Sequence, residues 1–143
     1  MDNVFIVGTA GPDLSRRAID FAVDRAKLAG ASVHLVHVIE WSPYTFMTAD
    51  ELAQQHAVRN KHKALGQKML DDTQAQWADA GVPISGEVRF GHVAEVLCEV
   101  AADKKACQIF VGRSGGSPLA NRIIGSASLT LVQASPVPVT VIP

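Results

Sequence analysis

The chain is poor in the residues that staple or wrap small proteins. It has two cysteines among 143 residues, and Cys98 and Cys107 lack CxxC spacing. That excludes a disulfide framework and a cysteine zinc knuckle. Both thiols sit in apolar segments and read as reduced core cysteines. Charge of one sign is also missing. Thirteen Lys and Arg against fourteen Asp and Glu leave a net charge of −1. No broad electrostatic field draws such a chain to nucleic acid or membrane surfaces. No apolar run is long enough for a bilayer span. The N-terminus reaches the strand-like Val4-Phe5-Ile6-Val7 almost at once, so no secretory leader is expected. Repeats, linkers and low-complexity tracts are absent too. The expectation is one soluble, cytoplasmic domain spanning residues 1–143, with 48% hydrophobic residues to build its core.

What is present is alternation of strand and helix. Val4–Thr9 is continuously apolar, as buried parallel strands are, and Gly11-Pro12-Asp13 makes the turn that follows. Asp13 or Ser15 would cap a helix running from Leu14 to Ala29. Leu14, Ala18, Phe21, Ala22, Arg25 and Leu28 recur there at helical spacing. Gly30 stops it, and Val33–Ile39 reads as the second strand. After the Ser42-Pro43-Tyr44 loop, a long helix is expected over Ala49–Ala80, anchored by Leu65, Met69, Thr73 and Trp77. Ile84–Phe90 alternates, with Ser85, Glu87 and Arg89 on one side, which marks a strand with a wet face at a sheet edge. A helix over Val93–Asp103, a strand over Gln108–Gly112, a helix over Ser126–Ala134 and a strand over Val137–Ile142 complete the series. Right-handed crossovers turn this into an α/β fold, a five-stranded parallel sheet with helices on both faces. With its apolar strands central, the order is 3-2-1-4-5. Ligands then collect at the switch point between the first and fourth strands.

The chemistry concentrates at that point. Gly112-x2-Gly115-x9-Gly125-Ser126 follows the apolar strand Ile109-Phe110-Val111 and leads into a short helix. Glycines at a strand exit let backbone N–H groups approach a ligand closely. A helix starting at Gly125-Ser126 adds free N–H groups and its positive dipole end. Together they make a phosphate cradle, and a loop of about a dozen residues in so small a domain points to function. Ser126 and Ser128 supply hydroxyls, and Arg113 or Arg122 can balance phosphate charge. For either arginine alone, a solvated surface role is the alternative. The lysine of a Walker loop is absent, which favours binding over turnover.

The spacing G-x2-G-x9-G-[ST] near the C-terminus resembles the ATP-binding signature of the universal stress protein (UspA-like) family. The resemblance extends to the first strand and its turn, to Gly91-His92 before the third helix, and to the closing Pro-Val-Pro-Val strand. It implies a Rossmann-like, adenine nucleotide α-hydrolase-like sheet. It also implies ATP or another adenine nucleotide as ligand, with or without magnesium, in a regulatory or stress-response role. On that reading Thr9, Ala10, Val38, Val111, Gly112, Arg113, Gly115, Arg122, Gly125, Ser126, Ala127 and Ser128 line the site. The backbone of Val38 would read adenine. Ala10 stands where the family has an aspartate that contacts the adenosine end. A methyl accepts no hydrogen bond, and losing such a contact costs about 1–3 kcal/mol. The resemblance further implies a homodimer paired through the terminal strand Val137–Ile142. Two alternatives stay open: a dimeric interaction module without nucleotide binding, and a slow nucleotide hydrolase or transferase.

The remaining candidates carry less. His92 reads first as a surface turn histidine and second as a nucleotide contact. His34 and His37 lie three apart on a strand, so they face opposite sides of the sheet and cannot share one metal. His56 and His62 are six apart on a helix, again out of register for a shared ion. No Gly-x-Ser-x-Gly elbow occurs and no Ser–His–Asp order has local support. Cys98, mid-helix, and Cys107, just before a strand, do not resemble activated thiolates. Asn60-Lys61-His62-Lys63 is a basic cluster on a solvated helix face. No catalytic residue and no metal ligand is assigned.

Overall fold

The computed structural model describes residues 3–9, 12–40, 48–113 and 126–143, and for residues 12–14 and 126 the backbone alone. The elements run β1 (Asn3–Thr9), α1 (Pro12–Ala29), β2 (Ala31–Ile39), α2 (Ala49–Gln76), β3 (Ile84–Phe90), α3 (Val93–Asp103), β4 (Gln108–Gly112), α4 (Ser126–Ala134) and β5 (Val139–Ile142). The five strands are all parallel, in the order β3-β2-β1-β4-β5. This is the Rossmann-like arrangement expected from the alternation, and it sets the switch point between β1 and β4.

Side-chain alternation along the strands builds two apolar layers. Phe5 and Val7 of β1, Val33 and Leu35 of β2 and Phe110 of β4 pack under α1 and α2. Ile6, Val36, Ile109 and Val111 point the other way, under α3 and α4. The central strands are apolar on both faces because helices cover both. β3 lies at the edge, as its alternating pattern indicated, with Gly86 and Val88 turned to α2 and a polar row turned outward.

Several helix faces differ from the expected ones. In α1 the buried row is Ala18, Ile19, Ala22, Val23 and Ala26, while Leu28 is 81% exposed and Phe21 lies at the margin. Helix α1 begins at Pro12, so Asp13 and Ser15 lie inside its first turn and neither is the cap. Proline suits that first position, because the N–H it lacks would have no helical partner. In α2 the buried positions are Gly66, Leu70 and Thr73, followed by Trp77 at the C-cap, and Leu65 is exposed. The helix ends at Gln76, short of Ala80, and Trp77 donates its indole N–H to Asp20 of α1 at 2.6 Å. Thr48 starts α2 with a reciprocal capping box to Glu51. β2 starts two residues earlier than expected and β5 two residues later. Cys107 is exposed rather than in the core. It lies in the bend before β4, where its thiol donates to Val4 O at 3.5 Å. Among the described residues, no helix is long and apolar enough to cross a membrane.

Candidate functional site

The carboxyl ends of β1 and β4 diverge at the switch point, since the chain leaves β1 into α1 on one face and leaves β4 towards α4 on the other. Thr9 closes β1 and Gly112 closes β4. The strand β4 is held on its outer side by Arg113, whose backbone N–H donates to Ile142 O at 2.7 Å. Helix α4 starts at Ser126, and Ser128 in its first turn is buried. The Ser128 hydroxyl donates to Gly112 O at 3.3 Å. This bond fastens the N-terminal turn of α4 over the end of β4. The N-terminal turn of α4, with its positive dipole end, therefore lies at the carboxyl end of β4.

Arg113 completes this corner. It is the first residue after β4, and its Nε is buried with no hydrogen-bond partner among the described residues. A guanidinium N–H in that state costs free energy until an acceptor arrives. Val111, one residue inside the strand, is buried beneath α3 and α4. Val38, at the end of β2, packs against the same apolar cluster, so its side chain is a core contact while its backbone lies at the strand's carboxyl end. Ala127 is partly buried in the first turn of α4. Thr9, Val111, Gly112, Arg113, Ser126, Ala127 and Ser128 thus gather around one strand pair. Ala10, Gly115, Arg122 and Gly125 lie outside the described residues.

One feature of the crevice was not legible in the sequence. His37 pairs with Thr9 in the β1–β2 register, and its Nδ1 lies 3.2 Å from Thr9 O. The ring N–H therefore ties down the last carbonyl of β1, which precedes Ala10 in the chain. Burial holds His37 below the ordinary histidine range, opposed by that carbonyl, so the ring is neutral at physiological pH. Gly91, the turn glycine that the resemblance marked, has φ of +143° and donates its N–H to Ile39 O at 3.0 Å. That conformation suits glycine alone and turns the chain from β3 into α3. His92 follows as the N-cap of α3, exposed, with no capping bond from its ring.

The universal stress protein family model matches residues 3–143. The chain belongs to the universal stress protein family. Universal stress protein YxiE of Bacillus subtilis is 30% identical over 147 residues, covering 99% of each chain. Among solved structures, the universal stress protein UspA from Lactobacillus plantarum superposes with a TM-score of 0.83 at 19% identity, covering 99% of this chain and 97% of that one. A universal stress protein crystallised in complex with cAMP superposes with a TM-score of 0.70 at 26% identity, covering 99% and 97%. A family relative with this sheet therefore holds an adenine nucleotide.

Proposed function

We propose that this universal stress protein binds an adenine nucleotide, with the phosphates at the end of β4 and the base towards Val38. The observation that carries the reading is the corner formed by Arg113 and α4. A buried guanidinium N–H lacking an acceptor sits one residue from a carbonyl fastened to the first turn of a helix. Both the guanidinium and the helix terminus favour an anion, and a phosphate satisfies both. Gly112, Gly115, Gly125 and Ser126 are the backbone cradle on this reading. Ser128 positions it, because its hydroxyl is already committed to Gly112. The relative that holds cAMP supports the ligand class.

The sequence departs from the family at Ala10, which removes a carboxylate from the adenosine end. Phosphate contacts then carry a larger share of the affinity, and the preference among ATP, ADP, AMP and cyclic AMP shifts towards the ligand with most phosphate charge. Among the described residues, no side chain of the site is placed to activate water, so binding with signalling, rather than rapid hydrolysis, is the activity proposed. β5 is an edge strand of the sheet, with no further strand beside it among the described residues. This supports a homodimer paired through residues 137–142, since an unpaired apolar edge invites a second strand.

Titration calorimetry with the four nucleotides tests the reading, together with mass spectrometry of whatever the purified protein carries. Binding is expected, and Gly115→Asp is expected to abolish it by placing negative charge in the cradle. Silence toward all four nucleotides would refute nucleotide binding and favour the dimeric interaction module. Unchanged affinity in Gly115→Asp would move the site elsewhere.

A further inference from the structure

The outward row of β3 meets β2 at a second polar cluster, away from the nucleotide crevice. Ser85 is the second residue of β3 and pairs with His34 in the register. The two therefore lie towards the amino ends of the strands, whereas the crevice lies at the carboxyl ends. Ser85 Oγ is 2.7 Å from His34 Nδ1. The opposite ring nitrogen, Nε2, is buried, makes no hydrogen bond, and lies 3.6 Å from Glu87 Oε2. Glu87 is held from its other oxygen by Arg89, whose Nε donates to Oε1 at 2.8 Å. Arg89 also reaches Asp103 at the end of α3, at 3.9 Å. The imidazole is 4% exposed, while the Ser85 hydroxyl at one end of the chain of contacts is open to solvent.

Hydroxyl, imidazole and carboxylate stand in line, which is the arrangement that activates a serine. The ring nitrogens take exchanged parts relative to the serine protease pattern, with Nδ1 facing the hydroxyl. When Nδ1 accepts the Ser85 proton, the ring carries its own proton on Nε2, aimed at Glu87. Burial first, and then the charge of Lys104, hold His34 below the ordinary histidine range, with Glu87 acting in the opposite sense. The ring is accordingly neutral, and competent as a base, at physiological pH.

We propose that Ser85, His34 and Glu87 form an acylation site on the edge strand that takes small, uncharged activated acyl esters. Ser85 Oγ attacks the carbonyl carbon and a bond forms between them. The hydroxyl proton passes to His34 Nδ1, and the imidazolium is stabilised by Glu87. The bond from the acyl carbon to the leaving oxygen breaks, and that oxygen receives the proton from Nδ1. Water regenerates the hydroxyl by the same route in reverse, releasing the acid. Glu87 is a positioning residue here, while Ser85 and His34 touch the reacting atoms. Around the ring, Glu87 and Asp103 balance Arg89 and Lys104, so a neutral acyl group is favoured over an anionic one. Pro83 O and Gly91 N both bond to β2, so by the two-residue period of a strand the backbone groups of Ser85 face β2 as well. With the N–H of Ser85 itself turned to β2 and so not aimed at the developing oxyanion, acylation is readable as a single event, and turnover is slow.

The test treats the full-length protein with 4-nitrophenyl acetate and maps acetyl groups by peptide mass spectrometry. General-base assistance predicts acetylation of Ser85 about 100-fold faster in the native protein than in the same chain unfolded in urea. Ser85→Ala should remove the acetyl group from that peptide with an unchanged circular dichroism spectrum, as expected of an exposed side chain. Glu87→Gln should slow acetylation and move the midpoint of its pH profile down, because Glu87 raises the proton affinity of His34. A merely structural carboxylate would leave the midpoint in place. Native acetylation no faster than in the unfolded chain would overturn the proposal, as would a profile unmoved by Glu87→Gln. Nucleotide binding, at the other end of the strands, should be unaffected in both variants.

Discussion

Replacing Gly86 by alanine probes how closely α2 is seated on β3, and the structure fixes the expected size of the effect. A Cβ at Gly86 would lie 2.9 Å from Leu70 Cδ1 and 3.1 Å from both Cδ2 and Cγ. The branch carbon Cγ cannot swing aside without a change at χ1, and Leu70 is 1% exposed with no vacant space to enter. Alanine in a strand would gain about 0.5–1 kcal/mol over glycine from the unfolded state alone. Overpacking of this kind costs about 1–3 kcal/mol and therefore wins. Leu70→Ala, made separately, should cost about 2–5 kcal/mol through lost burial and a residual cavity. In the double variant the new methyl group occupies part of the space that Leu70 vacates. The two costs should then fall short of their sum by about 1 kcal/mol or more. Urea unfolding of the four proteins, followed by circular dichroism, measures the cycle. Additivity within about 0.5 kcal/mol would refute the steric account, and so would a stabilised Gly86→Ala.

Stability should fall on acidification below the ordinary histidine pKa of about 6.5. Both His34 and His37 have lowered folded-state values. The unfolded chain therefore binds more protons between the folded and unfolded pKa values, and stability is lost as pH drops through that window. Urea midpoints at pH 7.5 and 5.5 should differ in that sense, and His37→Gln should reduce the difference; equal midpoints would contradict the burial of the two rings. Gly91→Ala should destabilise the β3–α3 corner by about 1–3 kcal/mol, because φ of +143° is closed to alanine. Its Cβ would also meet Val96 Cγ2 at 2.9 Å. Thermal unfolding of that variant checks the estimate. Thr48→Ala removes the hydroxyl that caps α2 and should cost about 0.5–2 kcal/mol. Faster amide exchange in the first turn of α2 would locate the loss there.

The strands and their order were legible in the sequence. Continuous apolar runs at Val4–Thr9 and Gln108–Gly112 can be satisfied only between two helical layers. The alternation of Ile84–Phe90 can be satisfied only with one wet face. These are one-dimensional patterns, and the backbone period converts them directly into burial. The end of β4 at Gly112 and the start of α4 at Ser126 were legible for a related reason, since each is marked by residues local to it.

Helix faces were less legible. An expected row through Leu65, Met69 and Thr73 differs by one position from the buried Gly66, Leu70 and Thr73, and hydrophobicity alone does not separate the two. Contact with Gly86 decides it, because only a glycine on β3 admits Leu70. The same holds for Leu28, apolar and at helical spacing yet pointing into solvent. Chemistry assembled across strands was not legible at all. Ser85 and His34 are 51 positions apart, and Arg113 looks in sequence like any surface arginine until its Nε is found buried.

The sequence by itself determined that this is a parallel α/β sheet of the universal stress protein kind, with its switch point between β1 and β4. Local pattern suffices for that, since strand burial and helix termini follow from residues near one another along the chain. Only the tertiary structure decided which side chains face one another. It put His37 on the Thr9 carbonyl, left the Nε of Arg113 buried without an acceptor among the described residues, and set His34 between Ser85 and Glu87. Register between distant strands makes those contacts, and no spacing within a single segment encodes it.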